Sequence, residues 1–92
     1  RELLRAARAA QPIRVAASGH VTIPRVDPET GRRESLALDP TGVTMTPAIW
    51  ASWASDPQVA ELCESGIVTA RDLTADEIGA MSDAELRWIA EG

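Results

Sequence analysis

Residues 20–45, HVTIPRVDPETGRRESLALDPTGVTM, decide the fold class. In HVTIPRV (20–26), Val21 and Ile23 share a face, and in RESLALD (33–39), Leu36 and Leu38 alternate with Ser35 and Ala37. A two-residue period of this kind is the mark of a half-buried strand. Between the two runs, Asp27-Pro28-Glu29-Thr30-Gly31 combines a proline, acidic residues and a glycine able to take positive φ, which predicts a hairpin loop. Pro24 has no N–H to give to a ladder, so its strand belongs at an edge or a bulge. Asp39-Pro40-Thr41-Gly42 repeats the turn chemistry and leads into a short strand, Val43-Thr44-Met45.

Upstream, IRVAAS (13–18) reads as a further strand, and RELLRAARAA (1–10) consists of strong helix formers. Leu3, Leu4 and Ala7 make a narrow apolar stripe on that helix, with Arg1, Arg5 and Arg8 together on another side. So short a helix is unstable alone, and it must pack on the domain or a partner, or fray. The chain opens in mid-pattern without a methionine, and the expectation is that the true N-terminus lies upstream and is disordered or removed. Gln11-Pro12 ends the helix, because the residue before a proline is driven out of the α region.

Downstream the chain repeats one grammar: a cap, then a short helix. Thr46-Pro47 and Asp56-Pro57 each set an N-cap before a proline at the first helical position. The first of these helices carries Ile49, Trp50 and Trp53; the second carries Val59, Leu62 and Cys63 and stops at Gly66. Ile67-Val68-Thr69-Ala70 is a β-type exit. Thr74-x-x-Glu77 and Ser82-x-x-Glu85 both have capping-box spacing, predicting helices over 75–81 and 83–91 with Ile78, Met81, Leu86, Trp88 and Ile89. The expected fold is α+β, with a short N-terminal helix or arm, a small antiparallel sheet built on the hairpin, then three or four short helices covering one face. Residues 1–11 form the arm, 12–46 the β-hairpin region and 47–92 the short-helix region of one compact domain.

Composition removes several kinds of chemistry. A single cysteine among 92 residues excludes an intrachain disulfide and a Cys-rich zinc site, and a single histidine excludes HExxH-type metal sites. No apolar run approaches the ~20 residues of a membrane span. No nucleophile–base pair, phosphate loop or metal cluster is recognisable, so the expectation is a binding or assembly domain and not an enzyme, with no cofactor, no metal and no small-molecule substrate. His20 has no serine, cysteine or carboxylate fixed beside it by a motif, and Cys63 reads most simply as a small buried residue. The acids in the turns and in the first helical turns stand where turn chemistry and the helix dipole already favour them.

The net charge of −5 is uneven. Residues 1–46 hold seven arginines against five acids, or +2, and residues 47–92 hold two against nine, or −7. A basic front and an acidic back suit head-to-tail contact between copies or docking on charged neighbours; an acidic helical half also simply favours solubility. The three tryptophans, the chain's entire aromatic complement, all fall after residue 46, which points to the densest core beneath the helices and a thin β half. Trp50 and Trp53 read either as an interface anchor or as core filler, with one of the two partly exposed. The residues singled out for contact are Arg1, Arg5 and Arg8 of the arm, Arg32 and Arg33 at the hairpin tip, and Trp50.

Two resemblances bear on function. The rhythm ESGIVTARDLTADEIGAMSDAELRWI (64–89) is similar to helix-hairpin-helix nucleic-acid modules. Such modules need a basic surround and a Gly-x-Gly element, and the −7 of this half and the missing glycines argue against that use. The segment VTMTPAIWASWASDPQVAELCESGIVTA (43–70) resembles the small FluMu-type proteins encoded among the head genes of Mu-like prophages, through Thr46, Asp56, Pro57 and Ile67-Val68. That likeness implies a bacteriophage virion component of the capsid or head–tail region, assembled in the host cytoplasm, whose partners are other virion proteins or copies of itself. The alternatives are a small cytoplasmic adaptor or regulatory domain, and a nucleic-acid-binding module using the N-terminal arginines.

Overall fold

The computed structural model describes residues 2–91. Helix α1 (Glu2–Ala9) closes at Gln11, which takes a left-handed φ of +54° and donates its N–H to the Arg8 carbonyl at 3.1 Å. This is the departure from the α region that Pro12 requires. The chain then forms β1 (Ile13–Ala17), β2 (Val21–Val26), β3 (Arg33–Leu38) and β4 (Val43–Met45). Helices α2 (Pro47–Ala54) and α3 (Pro57–Glu64) follow, then β5 (Val68–Asp72), α4 (Ala75–Gly79) and α5 (Asp83–Glu91).

β1 is the centre of a three-stranded antiparallel sheet ordered β4-β1-β5, with Ile13 opposite both Met45 and Asp72 and Ala17 opposite Val68. β2 and β3 form a separate two-stranded hairpin, so Pro24 does stand on an edge strand. The hairpin loop is held by Asp27, whose Oδ1 accepts the Glu29 N–H at 2.9 Å and whose carbonyl accepts the N–H of Gly31, at φ +73°. The two sheets meet where the Ala17 N–H donates to the Asp39 carbonyl at 3.0 Å. Gly42, at φ +84°, permits that approach: a Cβ there would stand 2.9 Å from both the Val15 carbonyl oxygen and the Arg14 Cδ.

The helix starts follow their caps. Thr46 Oγ1 accepts the Ile49 N–H, Asp56 Oδ1 accepts the Gln58 N–H, and Thr74 with Glu77 completes a capping box. Ser82 differs. Its Oγ accepts the Glu85 N–H, but the Glu85 carboxylate takes the Ser82 hydroxyl rather than the backbone N–H expected of a reciprocal box.

Two apolar clusters hold the molecule. The larger joins Val15, Ala17, Ile23, Leu38 and Met45 of the strands to Trp53, Val59 and Val68. The smaller joins Ala7 of α1 to Leu73, Ile78, Leu86 and Ile89. The larger is assembled across the 46/47 boundary that the sequence suggested, and the smaller joins residues of 1–11 to residues of 47–92. The β half is accordingly not thin, because its strands supply most of the larger cluster. The N-terminal helix is not a projecting arm: Ala7 is 0 % exposed, and Leu3, Leu4 and Ala10 pack beside it on the α4–α5 cluster. The apolar stripe of α1 has found its partner at the far end of the chain, as the instability of a lone short helix demands. The whole is a plate, 38 × 30 × 17 Å.

Candidate contact surface

Alternation along β2 places Val21, Ile23 and Arg25 on the face turned towards the core. Arg25 is the polar member of that row. Its Nε bonds Glu34 Oε2 at 2.9 Å across the hairpin, its Nη1 donates to the Ser52 carbonyl of α2 at 2.9 Å, and its guanidinium carbon lies 3.7 Å from the centre of the Trp53 ring. One planar cation thus ties hairpin to helix through an ion pair, a hydrogen bond and a stacked ring. Arg25 was not among the residues singled out for contact. Its parity with Val21 and Ile23 was the available signal.

The tryptophans separate by position. Trp53 is 7 % exposed in the larger cluster, Trp50 is half-buried against it, and Trp88 is 46 % exposed. On α5 the buried pair is Leu86 and Ile89, three residues apart, and that spacing turns Trp88 away from the cluster. Trp88 lines a cleft of about 370 Å³ between α5 and the β4–β1 edge, with Arg14, Gly42, Thr44 and Glu85. Arg14 reaches the Thr41 carbonyl at 3.4 Å, while its Nε is buried with no hydrogen-bond partner. Sequence periodicity named Trp88 only as one of the apolar residues of its helix, and Trp50 as the candidate anchor.

Of the arginines singled out, Arg5 and Arg8 are exposed on α1, and Arg32 and Arg33 are exposed at the hairpin end. Arg1 lies outside the described residues. The first pair stands on α1, which packs into the smaller cluster, and the second on the hairpin, which packs with Trp50 into the larger. His20 is exposed just before β2.

A second groove, about 490 Å³, runs between β2 and α3, lined by Val21, Thr22, Ile23, Pro24, Glu61 and Ile67 among others. The Asp27 N–H donates to the Arg32 carbonyl at 2.8 Å, which makes these two a hydrogen-bonded pair. Stepping by two residues, Arg25/Glu34, Ile23/Leu36 and Val21/Leu38 are bonded pairs as well. The backbone of Thr22, Pro24 and Val26 therefore points out of the hairpin. Pro24 has no N–H to spare in either direction, and this is the side on which that is harmless.

Charge on the helical half is organised locally. Arg71 binds both carboxylate oxygens of Glu77 at 2.8 Å, and this, with the Thr74 N–H, lowers the Glu77 carboxyl from 4.5 to about 2. Glu77 in turn raises the Arg71 guanidinium above its ordinary value. Cys63 is half-buried, and burial raises its thiol, which favours the protonated form at neutral pH. Among the described residues, no group of three His, Cys, Asp or Glu side chains is placed to hold a metal ion, and no helix is long and apolar enough to cross a membrane.

Comparison with known protein families, with curated proteins and with solved structures finds no match in any of the three.

Proposed function

We propose that this chain is a structural part of a bacteriophage virion, in the capsid or head–tail region, working through protein–protein contacts and without catalysis or a cofactor. One observation carries the reading as a contact protein. A plate 17 Å thick keeps Val26, Ile67 and Trp88 exposed, and each lines a groove on its surface. A lone exposed apolar residue is ordinary, but bulky ones seated in grooves are what interfaces use. The charge difference between the halves adds a means of orienting neighbours. The likeness of residues 43–70 to small head-region proteins of Mu-like prophages supports the virion as the setting.

Coexpression with the products of the neighbouring genes tests this. The chain should copurify with particles or particle fragments, and native mass measurement should show it bound to them or to copies of itself. A chain that stays a free monomer and is absent from particles would overturn the reading. No observation favours a basic track for nucleic acid, since Arg5/Arg8 and Arg32/Arg33 stand on elements of different clusters.

A further inference from the structure

The free edge of β2 has the chemistry of a strand-addition site. Thr22 and Val26 turn both N–H and C=O away from β3, and Pro24 turns its C=O the same way. Among the described residues β2 pairs only with β3, so these groups have no partner strand. An exposed strand edge beside an apolar groove is the arrangement by which a folded domain captures an extended peptide: the backbone supplies affinity and the flanking walls supply selection. Here the wall is α3, which presents Leu62 and Glu61, and Ile67, 37 % exposed, stands in the same groove.

The charges at the two ends of this edge are opposite. The Val21–Pro24 end faces Glu61, the only charged residue lining that groove among the described residues. The Pro24–Val26 end opens onto a second hollow, which shares Pro24 and carries Val26, 60 % exposed, beside Arg33. Arg25 and Glu34, also in that hollow, neutralise each other at 2.9 Å, which leaves Arg33 as the exposed cation there. We infer that the β2 edge binds an extended segment of a partner protein, antiparallel to β2. That segment is apolar at alternate positions, acidic at its N-terminal end against Arg33 and basic at its C-terminal end against Glu61. Antiparallel pairing is chosen because its hydrogen bonds are the straighter and slightly stronger. This specifies the kind of partner implied by the contact-protein reading and rests on it.

The probes are two synthetic peptides, acetyl-EVTVTVR-amide and its end-swapped form acetyl-RVTVTVE-amide, titrated into the isotope-labelled chain. The first should give saturable amide shifts at Thr22, Val26 and Ile67 and slow hydrogen exchange at Thr22 and Val26. The second should bind roughly five-fold or more weakly, since two exposed charge pairs change from attraction to repulsion. The double variant Glu61→Arg/Arg33→Glu should reverse the preference. Glu61→Gln alone, an exposed isosteric change, should narrow it. Equal binding of the two peptides, a wild-type preference for the swapped one, shifts away from β2, or no saturation by about 1 mM would each overturn the inference. Particle copurification with no peptide binding removes this site and leaves the virion reading standing; peptide binding by a chain absent from particles keeps this site and removes the virion as its setting.

Discussion

The guanidinium of Arg25 lies 3.7 Å from the centre of the Trp53 ring, joining a strand of the hairpin to the first helix of the second half. The arginine side chain is only 16 % exposed, so its contacts with Glu34, Ser52 and the ring operate with little screening from water. Removing the guanidinium leaves the Glu34 carboxylate half-buried without its cation and uncovers one face of the indole.

Arg25→Ala is therefore expected to lower stability by about 2–3 kcal/mol in urea denaturation. Arg25→Lys keeps the charge but not the planar fork, and should still lose about 1 kcal/mol. A lysine variant as stable as the wild type would show that charge alone suffices and that stacking contributes nothing.

The tryptophans should respond in opposite ways. Trp53→Ala opens a cavity in the larger cluster and is expected to cost about 3–5 kcal/mol, a large share of the stability of a domain of this size. Trp88→Ala, at a half-exposed position, should cost less than about 1 kcal/mol. With the other two tryptophans replaced by phenylalanine and folding checked by circular dichroism, acrylamide quenching of the protein that retains Trp88 should be strong, and that of the one retaining Trp53 weak.

Gly42 makes a sharp backbone test. A methyl group there meets the Val15 carbonyl oxygen at 2.9 Å, on a residue already at φ +84°. Backbone does not yield as a side-chain end does, and Gly42→Ala should lose about 2–4 kcal/mol. At Gly31, also at positive φ but with nothing within 4 Å of an added Cβ, alanine should cost only the conformational penalty, about 1 kcal/mol.

Acid sensitivity follows from Glu77. Its carboxyl is lowered from 4.5 to about 2, first by the Arg71 side chain and then by the Thr74 N–H. A lowered folded-state value stabilises above the ordinary one and is lost as pH falls towards the folded one. Stability should thus decline from about pH 4.5 down to about 2, and Asp27, lowered chiefly by the Glu29 N–H, acts in the same sense. Glu77→Gln should be less stable than wild type at pH 7 and converge with it near pH 2, a difference that added salt reduces because the pair is exposed. Parallel pH profiles for the two proteins would contradict this.

Local chemistry is what made the element boundaries legible. Thr46-Pro47, Asp56-Pro57 and Thr74-x-x-Glu77 each fix a helix start within four residues, and Asp27 through Gly31 fix a turn. The pairing of Ile13 with Asp72 has no such mark, because it joins residues far apart in the chain and depends on what the whole molecule brings together. For the same reason Ile67–Ala70 read as a short β-type exit and proved to lead into β5, an edge strand paired along the whole of β1. The contact surface was legible only in part. Arg32 and Arg33 are exposed where a hairpin tip should be. Trp88 and Arg25, by contrast, acquire their roles from which face of an element happens to be covered. Composition counts a tryptophan without saying whether its helix turns it inward.

Because α1 closes against α4 and α5, Glu2 and Glu91 both leave from the smaller cluster. A pull applied between those two residues would therefore load the α1–α5 contact first. The five strands, with Trp53 and the Arg25 tie, would stay out of the line of force until the helices had parted. The small cluster is in this sense a clasp, and its few buried side chains set the tension at which the molecule begins to open.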